Sequence, residues 1–277
     1  MAVLDTGLDV NHPLIRIYEE RIREVKSWLP ADRETNGGDV CGHGTHVTGL
    51  LLDMAPDCDV YVAQIADTKP LSPDQIAEAI HHAVTTWKID IISMSFGYLD
   101  EREQGCDKLR EAILQANASK VLMFAAASNV GAHSSSPAFP ARHPSVFCIY
   151  SGDGPGNFSK TSPTASKHDV NFLTLGEGVE SAWPQSLSQD PWTKRKSGTS
   201  FATPIAAGLA AALLYYVCQI LPLEDAKKFK EYDKMRDLLS QNSNERSGYH
   251  VLSLDNFFSK RTPDERRSLL NIILEGR

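Results

Sequence analysis

Short apolar runs rich in β-branched residues alternate along the chain with stretches of helical period. Residues 2–4, 60–65, 89–94, 121–125 and 145–150 read as strands, each flanked by polar or turn residues. Ser72-Pro73-Asp74-Gln75 opens a helix, with Ser72 at the N-cap, Pro73 at N1 and Gln75 completing a capping box at N3. Ile76, Ala79, Ile80 and Ala83 then form its apolar face. Residues 109–118 read as a second helix on the same logic. Strand, helix and strand in succession imply right-handed crossovers and a mainly parallel sheet with helices on both faces.

The longest apolar stretch, residues 205–220, is too short for a membrane span and carries Gln219, so it reads as a buried helix. Pro222 ends it, and the composition changes there. A charged helix is expected from Leu223 to about Gln241, then a polar turn at Asn242-Ser243-Asn244. A last helix is announced by Thr262-Pro263-Asp264-Glu265, continued by Leu269, Leu270, Ile272 and Ile273, and closed by Gly276. The organisation expected is a three-layer α/β domain over residues 1–221 and a helical C-terminal extension over 222–277.

The size, 277 residues, suits one large core. A formal charge of -7 without a dense Lys/Arg cluster argues against nucleic acid as a partner. Cys41, Cys58, Cys106, Cys148 and Cys218 form no CxxC pair, so neither a zinc nor a redox motif is visible. They read as reduced, mostly buried thiols of a cytosolic compartment, with one or two disulfides left open. No secretory signal or long apolar span is evident, so a cytoplasmic location and no membrane partner are expected.

Three segments carry chemistry. Val3-Leu4-Asp5-Thr6-Gly7 delivers a carboxylate at a strand end. Gly42-His43-Gly44-Thr45-His46-Val47 sets a histidine between glycines that leave space for substrate. Ser197-Gly198-Thr199-Ser200-Phe201-Ala202-Thr203-Pro204 places a serine between a tight turn and a small-residue helix. Acyl transfer by serine needs an attacking hydroxyl, an imidazole to take its proton, and a carboxylate to fix the imidazole tautomer. A serine at a helix N-terminus also aims a backbone N–H at the developing oxyanion. Asp5 at the carboxyl end of a strand lies where open α/β sheets bind ligands. Singly, Asp5 is an ordinary turn residue and Ser200 an ordinary N-cap. His43 and His46 lack the glutamate and spacing of a zinc helix, and His46 reads as a packed structural histidine. Together, in the order Asp, His, Ser, the three segments have no bland explanation.

With these motifs the chain resembles the subtilases, the subtilisin-like serine proteases, over roughly residues 2–216. The resemblance implies a catalytic triad of Asp5, His43 and Ser200. It also implies that Asn129, in Phe124-Ala125-Ala126-Ala127-Ser128-Asn129, donates to the oxyanion; by itself Asn129 is a turn residue. Ser93-Met94-Ser95-Phe96-Gly97 resembles the strand that pairs with the substrate backbone by β-augmentation. Ser95, Phe96 and Gly97 would then form one wall of the substrate pocket, and Ala126, Ala127 and Ser128 the other. Ser128 and Ala138 stand where the family usually has glycine, so a shallower pocket for a modest apolar side chain is expected.

The loop that helps hold calcium in secreted subtilisins is missing after His43, so that site is expected to be absent. No metal or cofactor is called for. No pro-region precedes Asp5, which points to a segment of a longer protein with regulatory domains, or to folding without the usual intramolecular chaperone. The expected activity is that of a serine endopeptidase acting on protein or peptide substrates through an acyl-enzyme. It should rise through about pH 6–7 as His43 becomes neutral. An inert or latent subtilase-like binding domain is the alternative. An esterase would need a glycine two residues after the serine and another residue order. The acid-active serine peptidases would lack His43.

Overall fold

The structure is a computed structural model that describes residues 1–33, 35–68, 71–100, 105–131, 136–166, 169–188 and 192–276. Its strands are β1 (Ala2–Asp5), β2 (Ile22–Ser27), β3 (Val60–Gln64), β4 (Ile91–Met94), β5 (Leu122–Ala126), β6 (Phe147–Gly152), β7 (Phe172–Leu175), β8 (Val179–Ala182), β9 (Thr193–Lys196), β10 (Ser243–Arg246) and β11 (Tyr249–Leu252). The α-helices are α1 (Pro13–Arg16), α2 (His43–Met54), α3 (Pro73–Thr85), α4 (Cys106–Ala118), α5 (Thr199–Ile220), α6 (Leu223–Ala226), α7 (Tyr232–Gln241), α8 (Asp255–Phe258) and α9 (Pro263–Glu275).

Among the described residues the main sheet runs β10-β11-β7-β6-β5-β4-β1-β3-β2, and every neighbouring pair is parallel except β10 with β11. The strand order reverses at β1, which pairs with β3 on one edge and β4 on the other. That reversal opens a crevice at the carboxyl ends of the strands, where Asp5 sits. Side chains alternate strictly across the sheet. Val3, Ile91 and Phe124 join one core with α2 and α5, whereas Leu4, Ile92 and Met123 join another with α3 and α4. A helical layer on each face follows from that alternation.

Helix α5 is long and apolar enough to cross a membrane, yet 78% of its apolar window is buried as the central core helix. The residues after Pro222 pack on the same layer: Phe229, Met235, Leu238, Phe257, Leu270 and Ile273 share the core of α5.

Several expectations are corrected. The charged helix after Pro222 breaks, with Lys227–Lys230 a 3-10 turn and Glu231 extended. Phe229 and Met235, six positions apart, would point about 120° apart on a straight helix, and the break lets both enter one core. The polar turn at Asn242-Ser243-Asn244 instead leads into β10, which with β11 extends the sheet, so the extension is not wholly helical. An edge strand can be polar on both faces, which hides it from periodicity. Ser72 does not close a capping box; its hydroxyl donates to Gln75 Oε1 at 3.1 Å. Thr262 and Glu265 do close one, and Gly276 ends α9 at φ +73. The thiols are less buried than expected: all five are free, Cys106 is buried and Cys218 exposed.

Candidate active site

Asp5 ends β1, almost fully buried, and its Oδ1 accepts from the Thr6 backbone N–H at 2.8 Å. The same oxygen accepts from His43 Nδ1 at 2.7 Å. His43 is the first residue of α2, and close packing brings that helix to β1. A Cβ on Gly44 would lie 2.2 Å from the Gly7 carbonyl oxygen, so only glycine permits the approach. Gly42 and Gly44 therefore do not leave the space for substrate that the sequence suggests; Gly44 meets Gly7, and Gly42 lies against the Trp183 ring.

The loop entering α2 is organised by Asp39, a residue that sequence reasoning missed. Its Oδ1 accepts from Thr6 Oγ1, Cys41 N and Gly42 N at 2.8, 3.0 and 2.7 Å. Its Oδ2 accepts from Thr45 N and Thr45 Oγ1 at 2.8 and 2.7 Å. Thr6 Oγ1 in turn accepts from Gly44 N at 2.8 Å. A carboxylate three residues before an N-cap glycine was the available signal: it satisfies helix N-terminal donors that Gly42 has no side chain to reach.

Burial alone pushes the His43 imidazole down, but the Asp5 charge and hydrogen bond outweigh it, with Asp39 adding, and the net shift is upward. His46 behaves oppositely. Burial lowers it to about 4, and its Nε2–H donates to the Lys194 carbonyl at 2.9 Å. It is packed, as expected, and its lowered value keeps it neutral.

Ser200 occupies the second position of α5, half-buried, where its backbone N–H has no intrahelical acceptor. Gly198 precedes it at φ +141, where a Cβ would press on the Asn129 carboxamide at 3.0 Å. Asn129 Oδ1 accepts from Thr199 N at 2.8 Å and Thr199 Oγ1 at 3.2 Å. With its oxygen so engaged, Asn129 is left with its Nδ2 donors, which have no acceptor among the described residues.

The structure thus joins Asp5 to His43 and Asn129 to the first turn of α5. No hydrogen bond joins Ser200 to His43 among the described residues. The Ser200 hydroxyl donates instead to the Ser95 carbonyl at 3.2 Å, while Ser95 Oγ donates to the Ser200 carbonyl at 2.7 Å. The second bond has a local cause. Pro204 stands four residues after Ser200 and has no N–H, so the Ser200 carbonyl lacks its helical donor and Ser95 supplies one. Phe201 packs against His43 with ring centroids 5.2 Å apart, holding α5 beside the imidazole.

The expected pocket walls lie at the ends of β4 and β5. Ser95 is buried, Phe96 half-buried and Gly97 exposed; Ala126 and Ala127 are buried and Ser128 half-buried. A Cβ on Gly97 would meet Ala138 Cβ at 2.7 Å and lie 3.9 Å from the Ala126 carbonyl oxygen, so the two walls converge on Ala138. Ser128 holds φ +138, a left-handed conformation natural to glycine and strained for serine.

A buried carboxylate fixing an imidazole beside a serine at a helix N-terminus, at the switch point of a parallel α/β sheet, defines a hydrolase of the serine type. The subtilase family profile matches residues 1–257, and the chain belongs to that family. It is 30% identical to the subtilisin-like protease het-Q2 of Podospora anserina over 260 residues, 79% of this chain and 70% of that protein. It is 29% identical to subtilisin E of Bacillus subtilis over 227 residues, 77% of this chain and 55% of that protein. Among solved structures, the prenylagaramide maturation protease PagA superposes with a TM-score of 0.73 at 26% identity, covering 93% of this chain and 91% of that one. The protease domain of PatA superposes with a TM-score of 0.74 at 24% identity, over 100% and 95% of the two chains, and shares the fold. Serine endopeptidase is the activity that family and relatives support.

Proposed function

We propose that the chain cleaves extended polypeptide segments through an acyl-enzyme, with Ser200 as nucleophile, His43 as base and acid, and Asp5 as the group that orients His43. The observation that carries this reading is the 2.7 Å hydrogen bond from His43 Nδ1 to Asp5. With Nδ1 protonated and donating to a carboxylate, the Nε2 lone pair is left free for a proton.

Ser200 Oγ attacks the scissile carbonyl carbon and passes its proton to His43 Nε2. The oxyanion is received by Asn129 Nδ2 and the Ser200 backbone N–H. As the C–N bond breaks, His43 returns the proton to the departing amine. Water then attacks the ester with His43 again as base, releasing the acid and restoring the hydroxyl. Before the first step the Ser200 hydroxyl turns from the Ser95 carbonyl toward His43. A substrate N–H that occupies that carbonyl favours the turn, so a filled site is more competent than an empty one, in which the single 3.2 Å bond still lets the hydroxyl turn to His43. Ala138 and Ser128 add bulk where the walls meet and favour a modest apolar residue before the cut.

The finer setting we propose is a peptidase module working inside the cell under regulatory domains of a larger parent protein; the unpaired thiols support its placement inside the cell. The size and fractionation of the native protein test that setting.

Active-site labelling with a fluorophosphonate tests the chemistry. The wild type should label and Ser200→Ala should not; a folded wild type that stays unlabelled would falsify the assignment. Because His43 is shifted upward, the labelling rate should rise with pH through a midpoint above the ordinary imidazole value of about 6.5.

A further inference from the structure

The β8–β9 hairpin leads directly into the nucleophile turn. Its antiparallel register pairs Val179 with Lys196, Glu180 with Arg195 and Ser181 with Lys194. Directly opposed residues share a face. Val179 and Ser181 are buried against the α2 side, where the Ser181 hydroxyl meets Gly49, so Lys194 and Lys196 point to that same side. Arg195 and Glu180 take the other face and pair with each other at 2.6 Å.

The two lysines converge on one aromatic ring. Lys194 Nζ lies 4.3 Å and Lys196 Nζ 5.0 Å from the centroid of Trp183. That ring stands directly against Gly42, the residue before His43: a Cβ on Gly42 would meet its Cζ2 at 2.6 Å and its Cε2 at 2.7 Å. The Lys196 charge is felt at Cys41 and at His43. Neither ammonium has a carboxylate within ion-pair distance among the described residues. Trp183 Nε1–H is buried and likewise has no acceptor there. Two ammonium groups without an anion, gathered on one indole ring, thus stand against the residue that precedes His43. The chain is acidic, with a formal charge of -7, so a pair of unneutralised lysines at this one place is not a by-product of composition.

His43 gives its proton to the departing amine, so the fragment leaving the site passes the residues that flank His43. We propose that the Trp183–Lys194–Lys196 group is a leaving-side subsite that selects an aspartate or glutamate at the first or second position after the scissile bond. This rests on the endopeptidase reading and names its substrate class: acidic segments just downstream of the cut. The carboxylate enters between the two ammonium groups, and the ring beneath holds both lysines in place.

Digestion of a proteome-derived peptide library, with sequencing of the new N-termini, tests the assignment. Aspartate and glutamate should be enriched at one of the first two positions, and a matched glutamate peptide should exceed its lysine counterpart in kcat/KM by about tenfold, the scale of two partly exposed ion pairs. The preference should shrink at high salt. The double charge reversal Lys194→Glu with Lys196→Glu should invert it, favouring lysine at the same position, which a loss of folding could not do. Cuts without acidic enrichment, or a preference untouched by the reversal, overturn the subsite and leave the endopeptidase standing. Fluorophosphonate labelling without any cut also overturns the subsite. Neither labelling nor cuts removes the endopeptidase reading, and the subsite with it.

Discussion

On the β1–α2 side of the cleft, the Asp39 carboxylate alone accepts five hydrogen bonds, and Asp5 already holds His43 at 2.7 Å. On the α5–β5 side, the Ser200 hydroxyl has one 3.2 Å bond to a carbonyl, and Ser128 carries a strained φ of +138. On the proposed mechanism the base half is organised before substrate arrives and the nucleophile half is completed by it. Preorganisation is thus concentrated where a wrong tautomer would stop the reaction. Adaptability is left where a peptide backbone must enter.

The strongest test of the base half is Asp5→Asn. The amide keeps the shape but no longer holds Nδ1 protonated, and kcat should fall by about 10⁴-fold, the loss known for this exchange in the serine-protease triad. A loss below tenfold in steady-state kinetics would break the comparison, because Asp5 would then not be setting the tautomer.

Asp39→Ala tests the scaffold under it. Five donors lose their acceptor, two of them the Thr6 and Thr45 hydroxyls of buried residues, and urea denaturation should show a loss of about 3–5 kcal/mol. The same truncation at an exposed acidic residue such as Asp107 should move the midpoint little.

Acid sharpens the comparison. His46 is shifted from 6.5 to about 4 by burial, so the unfolded chain binds a proton between those values that the folded chain refuses. Stability from this group is complete above about pH 6.5 and falls as pH drops toward 4, by roughly 3 kcal/mol in all. His43 has the opposite sign. Its folded value is raised, so its contribution is full below the ordinary imidazole value and is lost as pH rises through the shifted one. Chemical denaturation across pH 4–8 should therefore show an acid-side loss that His46→Gln removes.

On the nucleophile side, Ser95→Ala leaves the Ser200 carbonyl without the donor that Pro204 cannot provide. A cost of about 1–3 kcal/mol is expected. Because the Ser95 backbone carbonyl remains for substrate, kcat should fall while KM holds. A rise in KM alone would show that the hydroxyl serves binding rather than the position of Ser200.

The smallest effect is Ser128→Gly. Relief of the positive φ should raise stability by about 1 kcal/mol, offset in part by the added freedom of glycine in the unfolded chain. It should also widen the pocket toward larger residues before the cut, which a peptide series varying that residue would detect.

Much of this was legible in the chain because it is written in local rules. Strand β1 ending in Asp5, the helix opening at His43 and the turn before Ser200 each depend on neighbouring residues, and the five sequence-read strands lie within a few residues of their places. Strand β10 escaped because polar residues on both faces erase the alternation, and β2 because a register shift between Ile22 and Glu24 interrupts it.

What only the tertiary structure decided lies between residues far apart in sequence. Ser95 and Ser200 are 105 positions apart, and their exchange of hydrogen bonds follows from a proline whose effect is felt across the sheet. Asp39 meets Thr6, 33 residues away, and Trp183 meets Gly42 and two lysines on the facing strand. A motif names the atoms that react because backbone geometry is local. Which donors and charges surround those atoms depends on packing, which adjacency along the chain does not encode.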